Sequence, residues 1–163
     1  MNLEKEYYEI VKDILEHPEF QRRKKYGHHG TISVYDHSLS VSLMAYKMAK
    51  YFKSIDEKKV AIAGLLHDFY DKPWQTNQEK AKFLKKHGFV HAEQALNNAI
   101  KYFDYLLEEK SKNAILRHMF PLNKIPPKYK EAWIITLADK IVSLEVLLHP
   151  TFFLYLFKRK GDL

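Results

Sequence analysis

The sequence has no cysteine among its 163 residues. This absence excludes a disulfide framework, a thiolate nucleophile and every zinc or iron–sulfur site that is built on cysteine. Any transition metal must therefore be held by carboxylates and by some of the nine histidines. Glycine and proline are also scarce, with five and six residues, and 46% of the chain is hydrophobic. A disordered or collagenous chain is therefore excluded.

Long apolar runs are lacking as well. The most apolar stretch, residues 134–148, is interrupted by Asp139, Lys140 and Glu145, so no segment is long enough to span a bilayer. The N-terminal residues include acidic side chains and lack the apolar stretch of a signal peptide. We therefore expect a cytoplasmic protein without a membrane span.

The net charge of +7 would attract nucleic acid or a phosphorylated small molecule. However, the basic residues are scattered along the chain and interleaved with acidic, aromatic and apolar residues. That distribution is typical of a solvated surface with a positive bias. We therefore expect no nucleic-acid partner, and a phosphate-bearing substrate stays open on charge alone.

Apolar residues recur at helical spacing almost throughout, and no segment alternates as a β-strand would. The length favours one domain over residues 1–163, and the pattern predicts an all-α bundle of six to seven helices. Asp56 and Ser111 are expected to cap helices, and His87-Gly88 to end one. The predicted helices lie near residues 3–15, 35–52, 57–70, 79–86, 90–109, 111–118 and 128–149.

Polar residues interrupt apolar helical faces at three places: His37, the doublet His67-Asp68, and Asp139. An unpaired buried carboxylate costs several kcal/mol, so each aspartate requires a cation or a hydrogen-bond donor. Lys140 points elsewhere on a regular helix and is not expected to be the partner of Asp139. Taken singly, each residue also fits a core role, as a histidine bonded to a carbonyl or an aspartate paired with an arginine.

The order of these residues resembles that of the HD-domain superfamily of metal-dependent phosphohydrolases. His37 precedes the doublet His67-Asp68 by about thirty residues, and Asp139 follows some seventy residues later. The surrounding segments YDHSLSVSLMAYKMA, GLLHDF and LADKI also resemble that family. The resemblance covers about residues 26–148 and implies a single all-α HD domain. An N-terminal helix and a C-terminal aromatic helix would flank this core.

The resemblance also implies a centre of two divalent metal ions. His37, His67, Asp68 and Asp139 would hold one ion and His91 and His118 the second, with Asp68 bridging. Histidine and carboxylate ligands suit Fe, Mn, Zn or Ni, of which we favour Fe or Mn. A metal-bridging hydroxide would then hydrolyse a phosphomonoester or phosphodiester of a nucleotide or related soluble metabolite. Alternatively, His91 caps its helix and His118 packs under Pro121.

Several residues outside this ligand set are candidates for binding the substrate. Arg117 and Lys72 suit substrate phosphates, and both are catalytic candidates together with Asp68. His29 and His87 are candidates for the mouth of the site, although both also fit ordinary helix ends. Signalling phosphodiesterases that cleave cyclic-di-GMP carry an HD-x-x-K pattern, where this chain has Asp71 and only then Lys72. That departure and the missing Gly-Tyr-Pro signature argue against this subgroup.

Three alternatives remain open at this point: a di-iron oxygenase with the HD fold, a non-catalytic nucleotide-binding HD module, and a basic RNA-associated protein. Six ligand candidates count against a module without turnover. The aromatic residues 152–157 predict either a homodimer contact, a membrane-touching segment, or a last helix that folds onto the core.

Overall fold

The computed structural model describes residues 2–27, 32–71 and 80–148, with backbone only for 80–89 and 145–148. These residues form seven α-helices and two short 3-10 turns, Arg22–Lys25 and Asp104–Leu106, with no β-strand. The prediction of an all-α fold is therefore confirmed. The helices are α1 (Leu3–Glu16), α2 (Pro18–Gln21), α3 (Val34–Ala49), α4 (Glu57–Leu66), α5 (Lys80–Phe103), α6 (Glu109–Arg117) and α7 (Lys130–Leu148).

The start of α4 follows directly from the sequence. The Asp56 carboxylate accepts hydrogen bonds from the backbone N–H groups of Lys58 (3.1 Å) and Lys59 (3.2 Å), which confirms the predicted cap. The helix ends at Leu66, before the predicted end at residue 70. His67-Asp68 therefore lies immediately after a helix end, in a turn that can direct both side chains inward.

Two other helix ends were predicted wrongly. No break occurs at Gly88, because α5 runs without interruption from residue 80 to residue 103. A glycine inside a helix costs only about 1 kcal/mol, which a long helix tolerates. Ser111 does not cap α6, which begins at Glu109 and buries Ser111 within its first turn. Each local signal is worth only about 1 kcal/mol, so neither by itself sets a helix end.

Two clusters of buried apolar residues form the core. One joins α1, α4 and α5 through residues such as Tyr7 and Phe103. The other joins α3, α4 and α7 through residues such as Val41 and Ile135. Since α4 contributes to both clusters, the doublet at its end lies between them.

Helices α3 and α4 approach each other closely at Gly64. A Cβ atom on this glycine would lie 3.0 Å from the Cα atom of Ser42, which is too close for ordinary contact. Beside this point, the Tyr7 hydroxyl donates to Ser42 Oγ (2.8 Å), and the Ser42 hydroxyl in turn donates to the carbonyl of Ala61 (2.6 Å). The close approach brings His37 on α3 next to the turn that follows α4.

None of the helices in the described residues has both the length and the apolar character needed to cross a membrane.

Candidate metal centre

The six predicted metal ligands converge in the interior, although they come from five separate parts of the chain. Each has at most 7% of its surface exposed. They lie in the first turn of α3, in the turn after α4, in α5, at the end of α6 and in α7. In that order they are His37, His67 and Asp68, His91, His118, and Asp139.

Asp68 lies at the middle of this cluster, and its two carboxylate oxygens face different histidines. Oδ1 lies 2.5 Å from His91 Nε2 and 3.2 Å from His118 Nε2. Oδ2 lies 3.7 Å from His37 Nε2 and 3.6 Å from His67 Nε2. Each oxygen can therefore serve a separate group of ligands.

Asp139 approaches the same histidines from α7. Its Oδ1 lies 3.2 Å from His37 Nε2 and 3.8 Å from His67 Nε2. Lys140 forms an ion pair with Oδ2 (2.7 Å) and also donates to the carbonyl of His118 (3.3 Å). The expectation that Lys140 points away was wrong, because its long flexible stem lets the ammonium group reach back to the neighbouring carboxylate.

The tautomers of two histidines follow from their backbone contacts. The Nδ1–H of His67 donates to the carbonyl of Gly64, and that of His118 to the carbonyl of Ile115, each over 2.7 Å. A carbonyl can only accept, so each neutral ring presents the lone pair of Nε2. Both Nε2 atoms are buried and have no hydrogen-bond partner among the described residues. Such unsatisfied buried atoms are unusual, and a metal ion would satisfy both.

Two groups of ligand atoms are compact enough for an ion, since within each group all atoms lie within 4.8 Å of one another. One group consists of His37, His67 and Asp139, and the other of His67, Asp68 and His118. All five residues are buried. Imidazole nitrogens with carboxylate oxygens form a donor set that fits divalent transition metals.

The electrostatics keep both carboxylates ionised. Burial by itself would raise their pKa values, but His67 and other histidines hold the pKa of Asp68 well below its usual range. The neighbouring His37 and His67 do the same for the pKa of Asp139. For His67, the two carboxylates outweigh burial and raise its pKa, whereas burial lowers the pKa of His118. The centre therefore offers negative charge to a cation.

Of the residues predicted to bind the substrate, only Arg117 has a described side chain. Arg117 ends α6 beside the predicted ligand His118, and its Nη1 atom is buried without a hydrogen-bond partner in the part of the chain described. His29, Lys72 and the aromatic residues 152–157 lie outside the described residues. His87 lies within α5, but its side chain is also outside them.

Sequence reasoning missed the side chains that hold the turn carrying the doublet. Asn98 in α5 donates to one carboxylate oxygen of Asp71 at the end of this turn, and the buried Arg23 donates to the other. One signal was available, since Asn98 follows His91 by two helical turns and shares its face. Nothing in the sequence distinguishes Arg23 from the basic residues beside it.

A family model described as HD domain matches residues 34–144. The match spans more than half of the chain and includes all six of the converging residues. No curated protein and no solved structure gives a significant match.

Proposed function

This chain belongs to the HD domain family, and on that premise we propose that it is a metal-dependent phosphohydrolase. It cleaves a phosphomonoester or phosphodiester bond in a nucleotide or a related small phosphorylated metabolite. The observation that carries the proposal is the position of Asp68, whose two oxygens face different histidines inside a buried cluster. Two oxygens that face separate histidines can each contribute to a different metal site.

The proposed centre holds two divalent ions, with Fe or Mn favoured by the mixed imidazole and carboxylate donors. When bound, such ions provide Lewis acidity that activates water near neutral pH and neutralises phosphoryl charge. Asp68 is shared by both sites in this proposal. One site would be formed by His37, His67, Asp139 and Asp68, and the other by His91, His118 and Asp68.

The surrounding groups orient these ligands. The carbonyls of Gly64 and Ile115 hold the protons of His67 and His118 on Nδ1, so that Nε2 of each ring remains the ligating atom. The ion pair with Lys140 occupies one carboxylate oxygen of its neighbour Asp139 and leaves the other directed at the histidines.

Arg117 is proposed to bind the substrate phosphate. It precedes His118 in the chain, its Nη1 atom has no hydrogen-bond partner among the described residues, and a guanidinium group can bind two phosphate oxygens at once. Lys72 is proposed for the same role, with His29 and His87 at the mouth of the site. The net charge of +7 favours the approach of an anionic substrate.

The test is the release of phosphate from generic phosphomonoesters and phosphodiesters by purified protein loaded with Mn²⁺ or Fe²⁺. We expect turnover by the wild type and loss of turnover in Asp68→Ala. Asp13→Ala, at an exposed position of α1, is the matched control and should remain active. A wild type that binds no metal and releases no phosphate would overturn the proposal. Oxygen consumption by the iron-loaded protein without phosphate release would instead favour an oxygenase.

A further inference from the structure

The turn that carries the doublet is held from two sides by residues that are not metal-ligand candidates. Arg23 reaches it from the first 3-10 turn and Asn98 from α5, and both meet at Asp71. We propose that Arg23, Asp71 and Asn98 are positioning residues, which fix the doublet turn in the geometry that binds metal. The inference rests on the metal binding of the proposed function.

Arg23 is the first part of this arrangement. Its side chain is completely buried, which is rare for arginine unless its charge is paired. Nη2 donates to Asp71 Oδ1 and Nη1 to the carbonyl of Glu19, each over 2.6 Å. The guanidinium carbon also lies 3.9 Å from the ring centroid of Phe69, the residue directly after Asp68. Arg23 therefore contacts the turn at two residues that follow the doublet.

Asn98 holds the same turn from α5. Its Nδ2 donates to the carbonyl of Phe69 (2.9 Å) and to Asp71 Oδ2 (3.1 Å). His91, on the same face of α5, contacts Asp68 in that turn. Helix α5 therefore contacts the turn at two positions, through the proposed ligand His91 and through Asn98.

Asp71 joins the two sides, because one oxygen accepts from Arg23 and the other from Asn98. The backbone between Asp68 and Asp71 is thereby fixed at its middle, through the Phe69 carbonyl, and at its end. Residues that orient metal ligands from outside the coordination shell typically contribute about 10–100-fold to metal affinity. We expect this arrangement to contribute within that range.

The test compares Asn98→Asp with Asn97→Asp. The first places a carboxylate against that of Asp71 and removes the donor to Phe69, whereas Asn97 is exposed on the same helix. Mn²⁺ is titrated by calorimetry into metal-stripped protein, and the unfolding temperature of the metal-free protein is recorded alongside. We expect Mn²⁺ to bind about 10–100-fold more weakly to Asn98→Asp, while Asn97→Asp keeps the wild-type affinity.

Equal Mn²⁺ affinity in folded Asn98→Asp and Asn97→Asp would overturn the inference and leave the proposed function intact. A lower unfolding temperature with unchanged Mn²⁺ affinity would do the same, since it would indicate a role in stability alone. If Asn98→Asp does not fold, Asp71→Asn is measured instead, because the Asp71 side chain is 53% exposed and Arg23 keeps the Glu19 carboxylate (3.2 Å) as an ion-pair partner. The same loss of affinity is expected there. A wild type that binds no Mn²⁺ would refute the proposed function as well.

Discussion

Replacing Gly64 by alanine tests how the fold sets the distance between His37 and the doublet. The added Cβ atom would lie 3.0 Å from the Cα atom of Ser42, so α3 and α4 must separate by a few tenths of an ångström. Overpacking of this kind costs about 1–3 kcal/mol. Alanine is favoured over glycine inside a helix by about 1 kcal/mol, which offsets part of that cost. The expected net loss is up to about 2 kcal/mol.

Thermal and urea unfolding of the metal-free protein, followed by circular dichroism, would measure this loss. Each kcal/mol lowers the unfolding temperature of a chain of this size by about 2–4 °C. Mn²⁺ affinity should also fall, since Gly64 provides the carbonyl that orients His67. A more stable variant, carrying only the gain in helix propensity, would refute the close approach of the two helices.

Three further outcomes are expected. Tyr7→Phe should lower the free energy of unfolding in urea by about 0.5–1.5 kcal/mol, because it deletes the hydrogen bond to Ser42. Lys140→Met should weaken Mn²⁺ binding several-fold by calorimetry, since Asp139 loses the ion pair that keeps its other oxygen directed at the histidines; unchanged affinity would contradict this orienting role. Mn²⁺ affinity should fall between about pH 8 and about pH 6, because histidine ligates only when neutral. An affinity independent of pH would argue against imidazole ligands.

The fold class was predictable because it depends on local signals. Helical periodicity and the cap at Asp56 both act within a few residues, and the structure is helical over most of the segments that they predict. The signals at Gly88 and Ser111 failed, because each is worth only about 1 kcal/mol, too little to set a helix end by itself. Helix ends that depend on neighbouring elements therefore could not be derived from sequence alone.

The candidate site was predictable to a similar extent. A buried carboxylate needs a partner, so Asp68 and Asp139 stood out on apolar faces before any contact was known. The partner of Asp71 could not be derived, because Arg23 lies 48 residues away and meets it only in the folded chain. The reach of Lys140 was missed because helical geometry places its backbone but leaves its long side chain free.

The central claim, that Asp68 is shared by two metal sites, is tested most directly by counting bound ions. Metal-stripped wild type, Asp68→Asn and the exposed control Asp13→Asn would be loaded with Mn²⁺, and bound metal measured by mass spectrometry. We expect two ions per chain in the wild type and the control, and loss of tight binding at both sites in Asp68→Asn. Unchanged metal content in Asp68→Asn would contradict the claim.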